Sequence, residues 1–280
     1  MRMSNNPAKG GNPVRRNGSC LAVAVALCLS GAGAARADAE KRPRELVSFG
    51  TLRAASIDEA RSQASNWLKG VGKTDATTQK AFDAIWAEAD RPVLDRVAAT
   101  LALGDAGAAR LLQEARDPAS AAPLQVPTLL KDGKRPAFFR ANLSLAYARA
   151  LSQRRVYEES LGALKAAQPE QVVDPASYLF YRAVAEHALL LKDEANRSIV
   201  RLLDDAVEVP DRYKMVSVLM AFDMQTWREK DLGEIARKMD NIERRLELAR
   251  GGPHTQKIQK EVVLRLDEMI KKLENQAKGE

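Results

Sequence analysis

Apolar residues recur along residues 231–277 in a coiled-coil rhythm. Leu232, Ile235, Met239, Ile242, Leu246 and Ala249 stand alternately three and four positions apart, which puts them on one stripe of a helix. Gly251-Gly252-Pro253 follows, glycine serving as a helix stop and proline as a helix start. A second stripe comes next: Ile258, Val262, Leu266, Met269, Ile270 and Leu273. Two amphipathic helices joined by so short a turn fold back as an antiparallel hairpin, each arm about 30 Å long. Asp231, three residues before Glu234, has capping-box spacing. Acid-to-base pairs at i, i+4 (Glu234/Lys238, Asp240/Arg244, Asp267/Lys271, Glu268/Lys272) add about 0.2–0.5 kcal/mol each. Such a stripe makes contacts and does no chemistry. The expectation is that both stripes bury against each other and the preceding helices; the alternative is that part of the seam pairs with another chain.

A helical period also runs through the rest of the chain. Ser56 opens a helix to about Lys69, with Asp58 and Glu59 in its first turn. Thr74 or Asp75 caps a second, over residues 76–89, whose Phe82, Ile85 and Trp86 share a face. Pro92 starts a third, with Val93, Leu94, Val97 and Leu101 inward, and Gly104 stops it; Asp105 caps a fourth to Arg116. Residues 117–136 hold Pro118, Pro123, Pro127 and Pro136. They read as a linker between subdomains, with one helical turn over 128–131. Helices then follow over 137–153, 156–167, 175–191 and 193–204, and Pro210 caps another through Tyr213, Val216, Leu219, Met220 and Trp227. No stretch reads as a strand; Val207-Glu208-Val209 comes nearest, and Pro210 ends it. The fold class is all-α.

Ala148, the run Tyr157-Glu158-Glu159-Ser160, and Ala167 resemble a tetratricopeptide repeat, with small residues at the close-packing positions and an aromatic after the turn. Residues 175–204 resemble a second such hairpin with a shortened turn at Lys192. The ~34-residue self-similarity covers about 75 residues. The resemblance implies stacked helix–turn–helix pairs with a C-terminal helical hairpin appended, and a groove that binds a peptide or protein.

The first 37 residues change the reading of charge. A basic start (Arg2, Lys9, Arg15, Arg16), an apolar run from Leu21 to Leu29 and Ala35-Arg36-Ala37 make a secretory signal peptide, too short to span a membrane. Export to a periplasm or beyond the cell follows, by a Sec or Tat route. Taking those four basic residues and Arg36 from the 44 Lys and Arg leaves 39 against 37 acidic residues. Most of the basic character leaves with the leader, and with it the compositional case for nucleic acid. Cys20 and Cys28 leave too, so the mature chain has no disulfide or thiolate site and is held by packing. About 243 residues remain, long enough for one or two cores. No later run is apolar enough to span a membrane.

Motifs for chemistry are sparse. Gly70-Val71-Gly72-Lys73-Thr74 matches part of a P-loop, but Trp67 stands where its first glycine belongs and a helix precedes it. His187 and His254 lack a histidine or cysteine at ligand spacing. Glu159-Ser160 and Met224-Gln225 resemble fragments of a lytic transglycosylase at far too wide a separation, so Glu159 reads as a solvated face. Phe138, Phe139, Tyr147, Tyr178, Phe180 and Tyr181 read as core before groove. No catalytic, cofactor-binding or metal residue is assigned. The expected function is a non-enzymatic protein- or peptide-binding module of the cell envelope. The alternatives are a self-associating assembly subunit, forming a homo-oligomer through the hairpin seam, and an all-helical cell-wall hydrolase.

Overall fold

Ser56 begins the first helix by the route its sequence suggests. Its hydroxyl accepts from the Glu59 N–H at 3.2 Å, and its own N–H donates to the Glu59 carboxylate at 2.9 Å, a reciprocal cap that satisfies two free donors. In the computed structural model, residues 50–279 are described; the leader expected over residues 1–37 lies outside them. Helix α1 is Ile57–Gly70, α2 Ala76–Ala87, α3 Val93–Gly104 and α4 Ala106–Arg116. A single turn, α5, Thr128–Lys131, precedes α6, Ala137–Gln153, and α7, Tyr157–Leu164. A 3-10 turn at Pro169–Gln171 leads to α8, Pro175–Ala188, and α9, Lys192–Asp204. Then come α10, Asp211–Thr226, α11, Leu232–Glu247, and α12, Pro253–Lys278. The fold is all-α; the nearest thing to a sheet among the described residues is one parallel bridge between Leu52 and Ala206.

Helix α6 is the axis of the body. It is buried on nearly every side from Phe139 to Ser152 and packs against α1, α3, α4, α7 and α8, as a helix without a polar face must. Trp67 stacks on Phe139 at 5.4 Å between ring centres. Residues 117–136 are irregular apart from α5, yet the apolar core continues past them. Leu101 and Leu112 from one side join Leu130, Phe139 and Leu151 in one buried cluster. The aromatic residues split as the core reading expects: Phe139, Tyr147 and Tyr178 are buried, while Phe138, Phe180 and Tyr181 pack on the core's edge. A smaller cluster joins Ala183, Ala195 and Ile199 to Met220 and Met224.

Four helices end alike. The N–H groups of Lys73, Val156, Leu191 and Arg250 reach back to the carbonyls of Leu68, Leu151, Glu186 and Arg245. That is the six-to-one bond of the Schellman motif, which turns the chain through a left-handed residue. Gly72 supplies that residue once, but Arg155 (φ 61°), Leu190 (φ 61°) and Ala249 (φ 57°) supply it elsewhere. The stop of α11 therefore falls at Ala249, ahead of the Gly251-Gly252 pair that the sequence suggests. Gly252 serves instead as the N-cap of α12.

Gly104 ends α3 for a reason of space. A Cβ there would lie 2.5 Å from two carbons of the Trp67 ring, which is itself wedged against Phe139. Gly104→Ala should therefore lower the urea midpoint by a loss of about 1–3 kcal/mol with little change in m. Ala249→Gly should act the other way, gaining about 1 kcal/mol in the same measurement, because glycine adopts the left-handed conformation without a Cβ penalty.

Candidate functional site

The C-terminal hairpin meets the body through charge. Glu158 and Glu159, adjacent on α7, face three arginines of the hairpin. Arg244 donates from Nη1 and Nη2 to the two Glu158 oxygens at 2.9 and 2.8 Å, the planar two-point geometry that guanidinium and carboxylate share. The same two nitrogens also donate to the Arg155 carbonyl and Asn241 Oδ1, both at 2.9 Å, and the guanidinium lies 5.3 Å over the Tyr157 ring. Arg250 donates to Glu159 at 2.7 Å and to the Pro123 carbonyl at 2.5 Å. Arg245 pairs with Glu158 and donates to Thr255 at 2.8 Å. The Arg244 and Arg250 side chains are only 4% and 7% exposed. Glu159, read from sequence as a solvated position, is buried against Arg250; the arginine that buries it lies 91 positions away. Burial pushes the Glu158 carboxyl up, but the hydrogen bonds and charge of Arg244, with the charge of Arg245, outweigh it and hold it at about 2.

The hairpin has its own small core. Ile235, Ile242 and Val262 are buried, with Ile258 and Met269 packed against them. The other expected seam residues are open to solvent: Leu232 at 64% exposed, Met239, Leu246, Leu266 and Leu273. The expectation that both stripes bury within the chain is thus met for half the seam. The reason is length and a second stripe. Helix α12 is ten residues longer than α11, and it carries a second apolar stripe (Val263, Leu266, Ile270, Leu273) beside the one that faces α11. Of the four charge pairs read from sequence, Glu234–Lys238 forms at 2.9 Å; Arg244 is drawn instead to Glu158, and Glu268 to Arg265. The half-open seam leaves a groove of about 680 Å³ between the arms. Met239, Ile242, Leu246, Val262 and Val263 form its apolar wall, and Asp240, Glu243 and Glu247 stand on its rim.

A second, polar cleft of about 360 Å³ lies where α11 passes the ends of α8 and α10. There His187 Nε2 lies 2.8 Å from Asp223 Oδ2, and Trp227 Nε1 donates to the same oxygen at 3.0 Å. Arg237 sits 4.9 Å over the Trp227 ring. The described residues that line this cleft include no serine, threonine or cysteine. No cluster of three or more metal-binding side chains and no helix apolar enough to cross a membrane occurs among the described residues.

Helix α10 carries an apolar surface on its outer side. The sequence reading names its apolar residues without assigning an inward face; Tyr213, Ser217, Met220 and Met224 are the ones that point to the body. Met215, Val218, Leu219 and Phe222 are exposed. The available signal was that α10 has apolar residues on every side, which leaves the inward face undetermined by periodicity. Comparison of the chain with protein-family models, curated proteins and solved structures finds no match.

The Glu158 carboxyl is depressed from 4.5 to about 2, so what it contributes is complete above pH 4.5 and drains away as pH falls toward 2. Glu158→Gln should cost about 3–5 kcal/mol at pH 7, because it strands buried guanidinium charge. The variant should also lose much of the acid-side slope between pH 4.5 and 2, as read by urea denaturation at each pH.

Proposed function

We propose that this chain is a non-enzymatic protein-binding module of the bacterial cell envelope, built on tetratricopeptide-like helix pairs and exported after cleavage near Ala37. The observation that carries the reading is the groove between α11 and α12. Its wall is apolar, and Met239, Leu246 and Val263 remain 53%, 48% and 57% exposed. The width left between two antiparallel helices suits a third helix laid on its apolar face, the helix-in-groove mode of recognition. The consecutive pairs α6–α7 and α8–α9 are the most extensive helix contacts in the body, which supports the repeat resemblance. The polar cleft at His187 offers hydrogen-bonding groups, the Asn241 amide and the Arg237 guanidinium among them, to a bound chain.

The test is affinity capture from envelope extract, with the wild-type chain against a Met239→Glu, Leu246→Glu double variant. Both side chains are exposed, so far-UV circular dichroism should not change. Retained proteins should fall about tenfold or more with the variant, since a carboxylate facing an apolar helix costs several-fold per contact. Equal retention by both chains would remove the groove from the proposal.

A further inference from the structure

We infer that the groove between α11 and α12 is filled by the α12 helix of a second copy of this chain, in an antiparallel, two-fold arrangement. The inference rests on the groove being a docking surface and names its occupant.

The first argument is the bare end of α12. From Ile270 to Lys278 every residue is exposed, and among the described residues α11 is the only helix that packs extensively on α12. A helical end of this length has little stability in water by itself. Yet it continues an apolar 3-4-3 rhythm, Val263, Leu266, Ile270 and Leu273, beside the stripe that faces α11. That rhythm is a coiled-coil seam without a partner.

The second is area. Met239, Leu246, Val263, Leu266, Ile270 and Leu273 are each between 36% and 64% exposed. At about 90 Å² apiece they leave roughly 550 Å² of apolar surface, the upper end of what monomers leave bare. Two copies would cover about 1,100 Å² from these side chains alone, which reaches the range of stable interfaces, ~1,200–2,000 Å², once a polar rim is added.

The third is charge, and it selects a second copy. With Leu266 set against Ile270 of the second copy, Val263 meets Leu273. Lys260 then stands beside Glu274 of the second copy, and Glu274 beside its Lys260. Neither residue has an ion pair within the described chain. Asp267 meets its own mate at the axis, with Lys271 one turn along to offset it. The same register carries Leu273 and Ala277 of the second copy into the groove beside Met239 and Ile242. Its Lys272 and Lys278 are brought toward Asp240 and Glu243, which also lack ion-pair partners among the described residues. Because α11 covers only about half of α12, the two α11 helices can lie end to end. The surface is self-complementary, as a two-fold contact requires.

Sedimentation equilibrium of the full chain across micromolar concentrations should give twice 30.7 kDa. Ile270→Glu, at an exposed position, should return the mass of one chain with helicity intact. Lys260→Glu should weaken association about tenfold through two symmetric repulsions, and adding Glu274→Lys should restore it. A single-chain mass at every concentration overturns the second copy as occupant; a capture result that still depends on Met239 and Leu246 then assigns the groove to another helix. A dimer indifferent to Ile270→Glu, or one not restored by the charge swap, overturns the arrangement.

Discussion

Two neighbouring carboxylates on α7 hold the C-terminal hairpin to the rest of the protein. Glu158 and Glu159 sit between Arg244, Arg245 and Arg250. Buried charge of this kind is costly to desolvate, and is tolerated where each donor and acceptor finds a partner. Most do here: two carbonyls, those of Arg155 and Pro123, take up guanidinium donors that the carboxylates do not. The arrangement is directional. An apolar contact would let the hairpin slide, whereas a planar guanidinium fork on a carboxylate admits few orientations.

That polar attachment determines what the hairpin exposes. Because α11 meets the body through arginines, Asn241 and Leu248, its apolar stripe is free to face α12. Because α12 is longer and striped on two adjacent faces, one stripe completes a small internal core and the other remains open. The body itself is conventional in its physics: α6 is buried along most of its length, and α1, α3, α4, α7 and α8 pack around it. The two ends of the chain's logic therefore differ, with packing in the body and charge at the joint.

How much of this was legible from sequence depends on distance along the chain. Helix starts were, because Ser56, Asp75, Asp105 and Asp231 each bond an N–H three residues on. The hairpin was, because its period is local. Helix stops were less so: Ala249, Arg155 and Leu190 adopt a conformation usually left to glycine, held there by the bonds of the turn rather than by residue type. The clamp was illegible, since Glu159 and Arg250 come together only when the body folds. The inward face of α10 was ambiguous because both of its sides are apolar. The seam was readable as a seam, but which half closes within the chain depends on the relative lengths and rotation of α11 and α12.

The choice of arginine at the joint has a geometric effect. A guanidinium is a flat fork, whereas an ammonium is a point charge on a flexible stem. Lysine in place of Arg244 would keep the attraction to Glu158 and lose the two-point grip, leaving the hairpin tethered but free to swivel.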